Sequence, residues 1–411
     1  MKTYDEALQC ILANALLQPL TQCNINQALG FVCAKNVKSP EQLPNFSNSA
    51  MDGFAVNTLD LKTASETHPV FLNVNGTIAA GEGVIEREYT PNGVWEIMTG
   101  ALIPKWADAV IKLEDVRIME VINEIPKKIL VKTKVTPGLN IRYPGEDFEE
   151  NTLVLAKGCK IAPEHILACS ALGLNTLSVY KKPTISIIST GNEIEEEGKL
   201  APGKIRNANQ PYLNALITMA GLTPCLSGLV KDEVKGFLRQ LDKIIQKDNP
   251  DIIISTGAVS QGRWDFIPKA LDKTGATIFF HKVKIRPGKP ILFARLKNGS
   301  YYFGLPGNPS AVAVGWRFFV HPLLLSMQGL SHEQPLKAKV INREKHRLKK
   351  DFVSFLKGKY YYGEDNQLLV EVLEGQEAFK IRPLLEANCW VKGESQSEFA
   401  PDFVSIYSLR D

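Results

Sequence analysis

The chain has 411 residues, 44% hydrophobic and 22% charged, the composition of an ordinary globular protein rather than a disordered or fibrous one. Its length suggests about two to four domains. The formal net charge of +4 is too small, and too evenly spread, to mark a nucleic-acid binder.

Thr3 and Glu6 make a capping box, and the apolar spacing after them predicts a helix to about Leu17. Acidic residues in the first six positions argue against a secretory signal. No apolar run approaches the roughly 20 residues of a membrane span, and the expected location is the cytoplasm. The seven cysteines are Cys10, Cys23, Cys33, Cys159, Cys169, Cys225 and Cys389. Their odd number and irregular spacing predict reduced thiols rather than a disulfide framework or zinc knuckle.

Short β-branched runs separated by Gly, Pro and Asn predict strands at 71–74, 94–98, 109–113 and 129–131, a small β domain. A helix is expected from Pro163 to Leu172. From Pro183 strands and helices alternate: strands at 184–188, 251–256, 291–294 and 301–305, helices over 209–220 and 232–248, and a last helix from Pro309. That alternation predicts a doubly wound α/β domain. Strand-like runs at 338–341, 368–372 and 403–407 predict a final β domain.

Ligands of open α/β sheets bind beyond the carboxyl ends of the strands. Three such ends carry Gly-rich polar loops: 189–193, 255–262 and 304–310. Any one could be a plain strand-to-helix turn. Three in one domain favour a phosphate-bearing ligand, because glycine admits the backbone and helix N-termini aim amides at an anion. Neither a Walker A motif nor Gly-x-Gly-x-x-Gly is present. Lys282, Lys284 and Arg286 would share a face if extended, making either an anion clamp or a solvated edge strand.

In order, the chain carries Asn-Ser-Ala-Met-Asp-Gly-Phe-Ala (48–55), Ile-Met-Thr-Gly-Ala (97–101), Ala-Asp-Ala-Val (107–110) and Asn-Ile-Arg-x-x-Gly-Glu-Asp (140–147). Ser-Thr-Gly-Asn-Glu (189–193), Arg-Pro-Gly-Lys-Pro (286–290) and Gly-Leu-Pro-Gly-Asn-Pro (304–309) follow. Over its whole length the chain resembles the molybdopterin molybdenumtransferase family, MoeA in bacteria and the E domain of gephyrin in animals.

The resemblance implies an α/β and β multidomain protein, an elongated four-domain subunit. Residues 1–44 plus 140–180 would form a helical/mixed linking domain, and 45–139 a small β domain. Residues 181–328 would form the α/β molybdopterin-binding domain and 329–411 a C-terminal β domain. It implies a homodimer whose active site lies between the α/β domain of one subunit and the β domain of the other. Other cofactor-biosynthesis proteins could be partners, whereas neither nucleic acid nor membrane is expected.

The implied reaction is the last step of molybdenum cofactor synthesis, in which molybdate enters adenylylated molybdopterin and AMP leaves, with Mg²⁺. By resemblance Asp52, Glu193 and Asp265 are the catalytic and metal-holding acids, with Thr99 beside them. Arg142, Asp147, Asp232, Gly257, Ser260, Gly262, Lys282, Arg286, Lys289, Pro306, Asn308 and Pro309 would bind substrate.

The chain departs from the family pattern at Asn192, at Arg286, in the Thr256-Gly257-Ala258 opening, and at Arg382-Pro383. These departures bear on charge beside Glu193, oxyanion geometry, crowding at one glycine, and any C-terminal hydroxyl contribution. A related adenylyltransferase that loads AMP onto molybdopterin and a non-enzymatic pterin carrier are the competing functions.

Overall fold

The structure is a computed structural model and describes residues 1–83, 86–259, 266–341, 348–394 and 402–409. Its α/β sheet runs in the order Gly228–Val230, Ile185–Thr190, Ile252–Thr256, Tyr301–Leu305, Leu292–Arg295, Thr277–His281. The first four strands are parallel, while Leu292–Arg295 is antiparallel to both of its neighbours. The few residues between Arg295 and Tyr301 are too short for a crossover, so those two strands pair as a hairpin.

Side chains along each buried strand alternate between two cores. Ile185, Ile187, Ile252, Ile254, Tyr301 and Phe303 face one, and Ile188, Ile253 and Tyr302 face the other. The first core is covered by helices Asn209–Met219 and Pro309–Met327. The second is covered by Val234–Asp248 and Ile267–Thr274. Helices on both faces are the doubly wound arrangement expected from the alternation.

Helix Pro309–Met327 is, by length and composition alone, long and apolar enough to cross a bilayer, contrary to the expectation that no run comes close. It is 72% buried inside the chain, which accounts for its composition as that of a core helix. Pro322 supplies no N–H, and the helix passes through a π turn at Trp316–Val320 just before it.

The first helix is Tyr4–Asn14, with the capping box formed: Glu6 N donates to Thr3 Oγ1 at 3.2 Å and Thr3 N to Glu6 Oε2 at 2.8 Å. It stops short of Leu17 because tertiary partners take the backbone there. Leu16 N donates to the Tyr301 hydroxyl, and Gln18 N to Met327 O. The helix packs on the α/β core through Tyr4, Ala7 and Ile11. A separate core joins Cys23, Ile25 and Cys33 to Leu155, Cys169 and Val179.

The β domain is one sheet, ordered Ala109–Lys112, Gly53–Val56, Gly93–Ile97, Val70–Ile78, Ile125–Val131, Arg117–Ile122. Its two apolar cores contain only residues between Phe54 and Ile141. The sequence did not predict Arg117–Ile122, whose six residues are all exposed and so carry no burial alternation.

In the C-terminal sheet Val353–Tyr362, Leu368–Val372, Leu336–Val340, Phe403–Ser408 and Cys389–Gly393 pair in turn, and the last returns to pair with the first. The result is a closed five-stranded barrel. Ile285–Arg286 of the α/β domain adds to it in parallel beside Val353 and Ser354, stitching the two domains together.

Candidate functional site

The family-like segments gather into two places. The first is the rim of the β domain. Ser49 N donates to Ala101 O and Gly100 N to Ser49 O, while Ala50 N donates to Asn140 O. Arg142 pairs with Asn48 across a short antiparallel ladder. Segments distant in sequence thereby hold the Asp52 turn. Asp52 Oδ1 accepts from Thr99 N at 2.7 Å and from Thr99 Oγ1 at 3.0 Å. Those bonds, the backbone one foremost, hold its carboxyl below the ordinary Asp value. Gly53 must follow, because a Cβ there would lie 1.9 Å from Ile111 O. Arg142 and Asp147 are exposed.

The second place is a cavity of about 460 Å³ where the α/β domain meets the barrel. Arg286 and Lys289 line it together with Pro306, Asn308 and Val259. Gly257 shapes the adjoining loop. Its N–H donates to Leu305 O at 2.9 Å, its φ is +94°, and a Cβ would stand 2.5 Å from Thr190 O. Asn209 Nδ2 fixes the next loop through Gly307 O at 2.7 Å. The geometry suits a phosphate or metal oxyanion: guanidinium, ammonium and Gly-rich backbone converge on one concave surface.

Several expected residues stand elsewhere. Lys282 adopts φ +76°, so residues 282–286 are not one extended strand and the three cations do not form the clamp expected of them. Val283 and Ile285 are buried instead, and the cationic pair at the cavity is Arg286 with Lys289, across the cis Arg286–Pro287 bond. Pro309 opens its helix and lines a neighbouring apolar groove rather than this cavity. Glu193 is exposed outside the cavity wall. Its neighbour Asn192 and Asp232 exchange bonds, Asn192 N to Asp232 Oδ2 at 3.2 Å and Asp232 N to Asn192 Oδ1 at 3.3 Å. Ser260, Gly262 and Asp265 lie outside the described residues. Among the described residues, no group of three or more His, Cys, Asp or Glu could hold a metal ion.

A third wall of the cavity was not foreseen. Gln376, Glu377 and Ala378 of the barrel line it. Lys357, 1% exposed, donates from Nζ to Gly375 O at 2.9 Å and to Glu377 O at 3.3 Å. Lys357 N donates to Gln376 Oε1, and Gln376 Nε2 donates to Lys357 O. Ser310 N, at the start of the apolar helix, donates to Ala378 O at 3.0 Å. The wall is thus tied on both sides. Gly375, at φ +76°, was the available sequence signal for a tight turn there.

Ala258, also at the cavity, has φ +50°, a conformation costly for a residue with a Cβ. Ala258→Gly is expected to stabilise the chain by up to about 1 kcal/mol, read as a raised denaturant midpoint with an unchanged slope.

A model of the MoeA N-terminal region, domains I and II, matches residues 2–173, and one of a probable molybdopterin binding domain matches 186–326. The molybdopterin molybdenumtransferase of Haemophilus influenzae is 31% identical over 403 residues, covering 96% of this chain and 95% of that one. That of Synechococcus elongatus is 35% identical over 330 residues, covering 79% and 80%.

The chain belongs to the molybdopterin molybdenumtransferase family. A crystal structure of the molybdopterin biosynthesis MoeA protein from Pyrococcus horikoshii superposes with a TM-score of 0.80 at 28% identity, covering 100% of this chain and 99% of that one. Membership gives the two patches a common context: a transferase of molybdenum cofactor biosynthesis.

Proposed function

We propose that this molybdenumtransferase-family chain inserts molybdate into adenylylated molybdopterin with release of AMP, the final step of molybdenum cofactor biosynthesis. The observation that carries this reading is the cavity, where Arg286 and Lys289 meet the Gly257 and Gly307 loops. The cations and Gly-rich loops there suit the substrate's pyrophosphate and the incoming molybdate. The Asp52–Thr99 pair would hold and orient the anhydride side of the substrate.

The acids of the β-domain rim are not part of the cavity wall in one chain, and that domain has its own cores. A second copy, bringing its rim to the cavity, would complete the site, so the working unit we infer is a homodimer in the cytoplasm. Its functional divisions are the four segments given by resemblance: 1–44 with 140–180, 45–139, 181–328 and 329–411. Asp52 and Glu193 are hard oxygen donors suited to Mg²⁺. Within a single chain the described carboxylates do not form a metal-holding group.

Incubating purified protein with adenylylated molybdopterin, molybdate and Mg²⁺ is expected to yield AMP and cofactor that reconstitutes a molybdenum apoenzyme. Consumption of ATP and free molybdopterin instead would replace this reading with the adenylyltransferase. Binding of the pterin with no molybdate-dependent product would replace it with a carrier.

A further inference from the structure

The third core, away from both patches, holds a group of thiols that the proposed reaction does not use. Gly158 at φ +84° sits in a tight turn, closed by Cys159 N donating to Ala156 O at 3.1 Å, opposite Cys33. Gly158 N donates to Cys33 O at 2.8 Å, and Cys33 N donates to Cys159 O at 2.9 Å. The turn and these backbone bonds set Cys159 alongside Cys33 on the neighbouring segment.

The two sulfurs differ in character. Cys33 is fully buried, donates from Sγ to Lys35 O at 3.0 Å, and is held as a thiol, chiefly by burial. Cys159 is partly exposed and faces His165 Nε2 at 3.6 Å. Ala162 N donates to His165 Nδ1 at 2.9 Å, so in the neutral ring the proton sits on Nε2 and points at the sulfur. The Cys159 proton is left to the Lys160 carbonyl at 3.5 Å, beside solvent. A sulfur that has lost that proton to water keeps an imidazole N–H donor on it.

We propose that Cys159 is an oxidant-reactive thiol, positioned by His165 and resolved by Cys33 into a disulfide. Peroxide is the oxidant. The Cys159 thiolate attacks one peroxide oxygen, the O–O bond breaks, hydroxide leaves and a sulfenic acid forms. Cys33 sulfur then attacks the sulfenic sulfur, giving the S–S bond and water. Peroxide is reduced by two electrons, and the two thiols are oxidised by two. Cys169 shares the core with Cys33 but is fully buried, so oxidant reaches Cys159 first.

The test is peptide-resolved alkylation of the full chain with and without hydrogen peroxide. Cys10 and Cys225, also partly exposed, serve as internal comparators. In the native protein Cys159 is expected to alkylate at least about tenfold faster than either. Peroxide is expected to remove two thiols and yield a Cys33–Cys159 peptide. Cys159→Ser is expected to abolish the cross-link. His165→Asn is expected to slow alkylation several-fold, and Cys33→Ser to leave a dimedone-trappable sulfenic acid on Cys159. Equal rates at Cys10, Cys159 and Cys225, or a Cys33–Cys169 cross-link, would overturn the proposal. Should Cys33→Ser not fold, wild-type mapping with Cys159→Ser still decides it.

Discussion

Asp52→Asn is expected to cut AMP release from adenylylated molybdopterin by about 10²-fold or more, with unfolding midpoint and oligomeric state unchanged. The side chain is exposed and its hydrogen bonds run to Thr99, so the amide replaces it with little structural cost. Thr99 N and Oγ1 keep the carboxyl below its ordinary value, so it is ionised throughout the neutral range. Any acid limb of the rate near neutrality must therefore come from another group.

A sharper version mixes two inactive variants, Asp52→Asn and Lys289→Ala. If rim and cavity come from different subunits, random reassociation pairs half the chains as heterodimers with one intact site each. Activity should then recover to about a quarter of wild type. No recovery after verified subunit exchange would place both residues in one chain's site.

The elements written in strong periodicity were legible from the sequence. The buried strands of the α/β sheet read as apolar runs, and Asp232 to Asp248 read as an amphipathic helix because Phe237, Leu241 and Ile244 share a buried face. Less visible were elements without burial alternation or paired to strands well along the chain. Arg117–Ile122 is an exposed edge with no alternation, and Val353–Tyr362 closes a barrel by pairing with Leu368–Val372 and Cys389–Gly393, both later in the chain. The site divided in the same way. Family-like motifs pointed to Asp52 and Thr99, which share hydrogen bonds, and to Arg286 and Lys289, which line the cavity. Alternate lysines suggested a clamp that the φ of Lys282 breaks. Lys357 offered no signal at all, since a single lysine in an apolar strand reads as an exposed one.

Lys357→Met is expected to disorder the Gln376–Ala378 wall and lower substrate affinity at least about tenfold at pH 7, through KM more than kcat. The ammonium is almost wholly enclosed, and its two carbonyl bonds fix the wall. Burial, partly offset by Glu377 and reinforced by Lys380, lowers its pKa from 10.5 to about 8. Below pH 8 the lysine is charged in both folded and unfolded chains, and folding bears the burial cost. Between pH 8 and 10.5 the folded chain has lost a proton that the unfolded chain retains, so stability rises with pH, by up to about 3 kcal/mol. Over the same interval the wall loses its charge-assisted bonds. Stability and affinity are therefore expected to move in opposite directions between pH 7.5 and 9.5 in wild type, and the variant should lose both trends. Denaturant midpoints and substrate titrations across that range check the pair. Parallel trends, or a variant that keeps the wild-type pH dependence, would show that Lys357 does not govern the wall.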